Sequence, residues 1–367
     1  MDGKVFGNVA PGFEGVAEAF ATNFRDHGDI GASFCVVRDG HPVVDLWGGV
    51  ADPASGAPWQ QDTLANVWST TKGIVGIALA LIVERGLADY EDSVASYWPE
   101  FAAHGKGEAT IAQLLSHQVG LTGFRDPVTI AALYDPVAAA ERLAAAEPFW
   151  LPGSTAGYHA IAVGFLVDGL FRRIDGRSVR QFFAEEFAGH DIHLGLPAEE
   201  QARCAVMVAP PAFSSSDLVH DLTPAQLAAL ANPPLDPLLP NTSGWRSAQI
   251  PSANGFASAR GIAALYGAFV NGLVSPATLA AATEVRFEGK DAVLGHPARW
   301  ACGFLRNTGA YGPGEGAFGH SGWGGSFAFA DPDRRWGVAF TMNRMGTDLI
   351  GDPRNLELVK ALYAAAA

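Results

Sequence analysis

The chain has 367 residues, 24 basic and 38 acidic side chains, a formal charge of −14 and a pI near 5.1. That field repels phosphate backbones and anionic lipid, and no lysine or arginine cluster offsets it, which argues against nucleic acid or a membrane surface as partner. Hydrophobic residues make up 49% and charged residues 17%, the balance of a chain that buries a large core, and the length suits one large or two interleaved domains. Cys35, Cys204 and Cys302 are too few and too far apart for a disulfide framework or a zinc site, and read as buried thiols. Met1 to Ala10 lacks an apolar run, and no stretch of about 18 consecutive apolar residues occurs. A soluble cytoplasmic protein is expected, and the composition is compatible with a homo-oligomer.

In chain order, a short irregular start gives way to Phe13, Val16, Ala17, Phe20 and Phe24 at helical spacing, a helix ending near His27-Gly28. Residues 31–37 and 41–47 have strand composition on either side of an Asp39-Gly40 turn and predict a β-hairpin. A Pro/Gly/Asp loop over 52–62 leads to Ser69, after which the proline-free apolar run Gly73 to Gly86 predicts a buried helix starting at or beside Ser69. From about Tyr90 to Trp245 the pattern is helical segments separated by Pro/Gly loops. Strand signal returns with 325–330 and 336–342 around a turn at 331–335, and an Ala/Leu-rich helix begins near Asn355. These elements predict an α+β fold: an antiparallel sheet flanked by terminal helices (residues 1–89 and 246–367), with a mostly helical domain (90–245) inserted and an active site between them.

Ser69-Thr-Thr-Lys72 is an S-x-x-K tetrad, and on a helix positions i and i+3 share a face, which brings the amine beside the hydroxyl. A serine needs a base, and a lysine serves only if desolvation or a neighbouring cation lowers its pKa from about 10.4. With eighteen serines and five lysines in the chain, about a quarter of such a match is expected by chance, so the tetrad needs context. Ser69 supplies it by following a loop and preceding an apolar helix whose first free amides can hold an oxyanion. Tyr158, after the Pro152-Gly153 loop, reads as the start of a further helix and becomes a base only beside a cation such as Lys72. The run Phe318 to Gly325, containing His320-Ser321-Gly322, is rich enough in glycine for a ligand to approach the backbone. His117 reads as a loop histidine bonded to backbone. There is no G-x-S-x-G, no H-E-x-x-H and no phosphate loop of the G-x-x-x-x-G-K-[ST] type.

Ser69-x-x-Lys72, Tyr158-His-Ala160 and His320-Ser-Gly322, in that order, resemble the three signature boxes of the serine β-lactamase and DD-peptidase superfamily. Residues 43–49, 114–121 and the Trp150-x-Pro-Gly153 approach look like its branch called family VIII carboxylesterases, related to class C β-lactamases. The resemblance implies an acyl-enzyme on Ser69, proton exchange between Lys72 and Tyr158, an oxyanion hole from the backbone amides of Ser69 and Trp323, and no metal or organic cofactor. Trp323-Gly324-Gly325 also looks like the W-G-G variant of the third box.

Class C β-lactamases have asparagine where this chain has Ala160 and lysine where it has His320. A donor for the β-lactam side chain and a fixed cation for its carboxylate are therefore missing, each typically worth about 1.5 to 3 kcal/mol. Esters need no nitrogen protonation on leaving and survive that loss. The expected function is a carboxylesterase acting on small-molecule short-chain esters; a β-lactamase, amidase or transacylase would use the same site. Phe124, Trp150, Trp245 and Trp323 are expected to line an apolar pocket at its mouth.

Overall fold

The computed structural model describes residues 4–210 and 222–366. Three strands come from the start of the chain, β1 (Val5–Val9), β2 (Gly31–Arg38) and β3 (His41–Asp52). Six come from its last third: β4 (Phe287–Lys290), β5 (Pro297–Trp300), β6 (Leu305–Arg306), β7 (Phe318–Ser321), β8 (Phe327–Asp331) and β9 (Trp336–Met342). They form one antiparallel sheet in the order β1-β3-β2-β9-β8-β7-β6-β5-β4, with the two-residue strand Ala57–Pro58 added to β3. The two expected hairpins thus meet directly, β2 against β9 from Ala32 opposite Met342 to Arg38 opposite Trp336.

The main helices are α1 (Glu14–Asp26), α2 (Thr70–Glu84), α3 (Ala162–Ile174), α4 (Ala259–Ala268) and α5 (Pro353–Ala365). Both faces of the sheet centre are covered, which is why every residue of β8 and β9 is buried although strands facing water on one side alternate. Gly337 lies so close to α4 that a Cβ there would come within 2.2 Å of the Ala263 carbonyl. Its neighbour Trp336 points the other way and meets Tyr363 of α5 edge-on at 5.2 Å. Helix α2 is hydrophobic on all sides, with 13 of its 15 residues buried, as a helix enclosed by the fold must be.

Among the described residues, the elements between 90 and 245 are helical apart from Ile192–Leu194, which pairs with Gly255–Ala257. That strand also pairs with Ala65–Asn66 in a separate small sheet. Strands β1 and β4 to β7 lay outside the sequence expectation. β1 and β4 are mostly exposed edges carrying Gly, Asn, Glu and Lys, so they lack a buried face to write a hydrophobic pattern. Cys35 and Cys302 are buried as expected, while Cys204 is half-buried; all three are free thiols.

The two ends of the chain are tied together by Arg354, at the start of α5. Its five N–H donors are all used: Nε to Asp352 Oδ1 (2.9 Å), Nη1 to Asp29 Oδ1 (2.6 Å) and the Arg344 carbonyl (2.8 Å), Nη2 to Asp352 Oδ2 (2.6 Å) and the Gly324 carbonyl (2.6 Å). Burial pushes the Asp29 carboxyl up to about 6, against the pull of Arg354. Removing one partner of a buried ion pair leaves the other charge stranded, so Arg354→Met is expected to lower unfolding free energy by about 3 to 5 kcal/mol in urea denaturation. A loss below about 1 kcal/mol would show that this network does not hold the chain ends together.

Candidate active site

The nucleophile candidate stands where the chain leaves the strand Ala65–Asn66 and enters α2. Trp68 takes a left-handed backbone (φ +43°) to make the corner, a conformation that costs a bulky residue of order 1 to 3 kcal/mol. Its ring is held by Trp245 at 5.3 Å and Trp323 at 5.0 Å. Ser69 follows as the N-cap, and the first turn closes through bonds from the amides of Thr70, Thr71 and Lys72 to the carbonyls of Val67, Trp68 and Ser69. One turn on, Lys72 Nζ lies 3.0 Å from Ser69 Oγ and donates to the carbonyls of Ala160 (2.6 Å) and Ser252 (3.0 Å). Burial drives its pKa well below the usual lysine value.

Tyr158 donates its hydroxyl to Ser69 Oγ at 2.7 Å, and Lys72 Nζ lies 4.7 Å from the centre of its ring. It does not begin a helix as expected: α3 starts four residues later, at Ala162. The reason is that the backbone here is bonded elsewhere. The Tyr158 amide goes to Asp291 Oδ1 (3.0 Å), the His159 amide to His117 Nδ1 (3.3 Å), and the Ala160 carbonyl to Lys72. His117 is thus bonded to backbone, as its loop position suggested. Burial raises the Tyr158 phenol far above its ordinary range, and the Asp291 carboxylate adds to the shift; the bond to Ser69 opposes it.

The third box lies on β7 and the turn after it, not in a loop ahead of a strand. His320 Nδ1 donates to the Ser321 carbonyl at 2.9 Å, which leaves Nε2 as a buried acceptor with no hydrogen-bond partner. Burial above all, with Lys72 contributing, lowers His320 to about 3. It is a neutral ring and not a replacement cation. Gly322 packs where no side chain fits: a Cβ would lie 2.3 Å from the Val67 carbonyl and 2.2 Å from Ser326 Oγ. Ser326 bonds both the Val67 carbonyl (2.8 Å) and Thr70 Oγ1 (3.1 Å), so the turn is fastened to the serine corner. Its far side is fastened to α5, by Arg354 at Gly324 and by Asn355 Nδ2 at the Gly325 carbonyl (2.8 Å).

A cleft opens over these groups, lined by Ser69, Tyr158, His320 and Ser321 together with Leu294, Trp300, Leu305, Leu349 and Ile350. Of the four aromatic residues expected at its mouth, two are buried away from it. Phe124 is buried beside Phe165, and Trp245 is fully buried with Nε1 donating to Asn66. Trp150 is half-buried, with Nε1 donating to the Gln118 carbonyl and its ring edge-on to His159. Trp323 packs on Trp68. Instead the wall is aliphatic, with one aromatic, Trp300, whose ring is parallel to Tyr158 at 5.7 Å. Trp300, Asp291 and the aliphatic residues sit in short, weakly patterned strands and loops, so only the tertiary fold reveals them.

The beta-lactamase family model matches residues 17–361. The chain belongs to that family. It is similar to the esterase/beta-lactamase LipL of Mycobacterium tuberculosis, 36% identical over 386 aligned positions that cover 95% of this chain and 85% of that protein. Among solved structures it resembles a family VIII carboxylesterase, 43% identical with a TM-score of 0.93, covering 99% of this chain and 100% of the other. It also resembles a penicillin-binding protein homologue from Caulobacter crescentus, 40% identical with a TM-score of 0.92 and the same coverage. The antiparallel sheet with its helices is the fold of the serine β-lactamases and penicillin-binding proteins. Among the described residues, no helix is long and apolar enough to cross a membrane.

Three buried histidines surround this site: His117, held well below the usual value by burial, His159 at about 4 and His320 at about 3. Each binds a proton more readily when unfolded, near 6.5, so stability is full above that value and falls as pH drops from about 6.5 towards 3 to 4. Urea midpoints measured at pH 7 and pH 5 should show the drop, and His159→Gln with His320→Gln should flatten it. An unchanged slope in the double variant would contradict the neutral burial of these rings.

Proposed function

We propose that this chain is a serine carboxylesterase that cleaves short-chain carboxylic esters through an acyl-enzyme on Ser69. The observation that carries the reading is the hydroxyl of Ser69, placed 3.0 Å from a desolvated lysine amine and 2.7 Å from a buried phenol. An uncharged amine has two N–H donors and one lone pair. The carbonyls of Ala160 and Ser252 take the donors, and the lone pair is left for the Ser69 proton. Lys72 is then the resting base, and Tyr158, which keeps its proton, donates to Ser69 Oγ.

Ser69 Oγ attacks the ester carbonyl as its proton passes to Lys72, and the backbone amides of Ser69 and Trp323, assigned by correspondence with the family, hold the oxyanion. The carbon–oxygen bond to the alcohol breaks, and the proton reaches the alkoxide through the Lys72 and Tyr158 pair. Water then attacks the acyl-enzyme, gives a proton to the same pair and releases the acid with Ser69 restored. Substrate choice follows from charge. Among the described residues the cleft lining offers apolar walls, a neutral His320 and no arginine, so nothing fixed and positive meets a β-lactam carboxylate. The three free thiols fit a reducing cytoplasm.

With p-nitrophenyl butyrate, Ser69→Ala should show no turnover above the spontaneous rate, and Lys72→Met and Tyr158→Phe should lose about 10² to 10⁴ in kcat. Nitrocefin should be hydrolysed with less than about a hundredth of the ester's kcat/KM, given two missing contacts of about 1.5 to 3 kcal/mol each. Comparable rates on the two substrates would make the protein a β-lactamase as much as an esterase, and turnover surviving in Ser69→Ala would remove the nucleophile.

A further inference from the structure

Asp291, fully buried between β4 and β5, is a carboxylate whose partners are N–H groups and not cations. Oδ1 accepts the backbone amides of Tyr158 (3.0 Å), Val293 (2.9 Å) and Leu294 (2.8 Å), and Oδ2 accepts Trp300 Nε1 at 2.9 Å. Three parts of the cleft therefore hang on one side chain: the second box, the wall residue Leu294 and the indole that lies within 9° of the Tyr158 ring plane. A buried charge is costly, and an apolar core residue would fill the space more cheaply. Its place beside Tyr158 gives the charge a use.

We propose that Asp291 is a positioning residue for Tyr158, fixing the phenol through its own amide and, by way of Trp300, through the plane of its ring. The inference rests on reading Ser69 as nucleophile and Tyr158 as its proton partner. The groups that face the phenol are Lys72 over its ring, His117 at 5.1 Å and His320 at 6.1 Å between ring centres, Tyr311 nearby, and Asp291. The histidines are held neutral by burial and Lys72 is driven towards its free base, so Asp291 supplies the fixed negative charge that disfavours phenolate.

An amide in place of the carboxylate separates geometry from charge. In Asp291→Asn the retained oxygen still accepts three backbone amides, but the new NH₂ faces the indole N–H, donor against donor. Adding Trp300→Phe removes that conflict, so the double variant D291N/W300F restores the fold without restoring the charge. The test is hydrolysis of an ethyl ester, followed by titration of the released acid across pH, with active sites counted by a fluorophosphonate probe. Asp291→Asn should lower kcat per active site about tenfold or more, with KM changed less than about threefold, and move the alkaline limb of the kcat profile about half a pH unit or more to lower pH. The double variant should regain the melting temperature lost in Asp291→Asn yet keep the displaced limb. A limb that stays in place in both variants, with all activity loss explained by fewer labelled sites, would overturn the proposal and leave Asp291 a structural residue. Ester turnover surviving in Ser69→Ala would instead overturn the reading beneath it, whatever Asp291 does.

Discussion

A primary amine taken out of water without a carboxylate to pair with gives up its proton, and the chemistry proposed for this fold depends on that one fact. Lys72 is enclosed because α2 is enclosed: a helix apolar on every side must be surrounded, and the sheet, α3 and α4 supply the surround. Among the described residues, nothing acidic bonds to the amine. Its acceptors are two carbonyls, from the segment after Tyr158 and from the loop before Gly255. Neutral dipoles orient the amine without charging it, which a salt bridge would do.

The same logic of fixed dipoles and withheld water runs through the rest of the site. His320 spends its N–H on its own strand, and Tyr158 sits between a carboxylate that discourages ionisation and a serine oxygen that accepts its hydrogen bond. Because each group comes from a different element, their relative placement is set by the fasteners between elements and not by any one helix or strand. The fasteners are polar: Ser326 between β8 and the serine corner, Asp291 between β4, β5 and the second box, Arg354 between α5 and the third-box turn.

The sequence made the centre of the molecule legible and left the margins dark. β2, β8 and β9 run apolar because both of their faces are covered, β3 alternates because one face is, and S-x-x-K, Tyr158 and the His320 box stand out by residue type and order. β1 and β4 are short edges with polar or glycine positions and β5 is a four-residue strand beside that edge, so periodicity had nothing to register. Asp291 and Trp300 lie there, and neither belongs to a motif. Phe124 and Trp245 are buried for a physical reason: a large aromatic ring is as useful for bracing the backbone as for touching substrate. Trp245 braces Trp68, and the cleft wall fell to leucine and isoleucine from distant loops. The apolar run after Tyr158 suggests a helix, whereas the backbone from Tyr158 to Ala160 is bonded to Asp291, His117 and Lys72.

The pairing of β2 with β9, from Ala32 opposite Met342 to Arg38 opposite Trp336, joins opposite ends of the chain, and this sets an order of events during synthesis. The opening hairpin emerges from the ribosome with one flank unmatched and must wait for nearly the whole chain before its partner strand exists. Helix α2 and its lysine emerge early too, long before the turn that closes over Ser69. The serine corner is thus the first part of the site to be made and the last to become a site, so the growing chain passes most of its life on the ribosome without a formed catalytic centre.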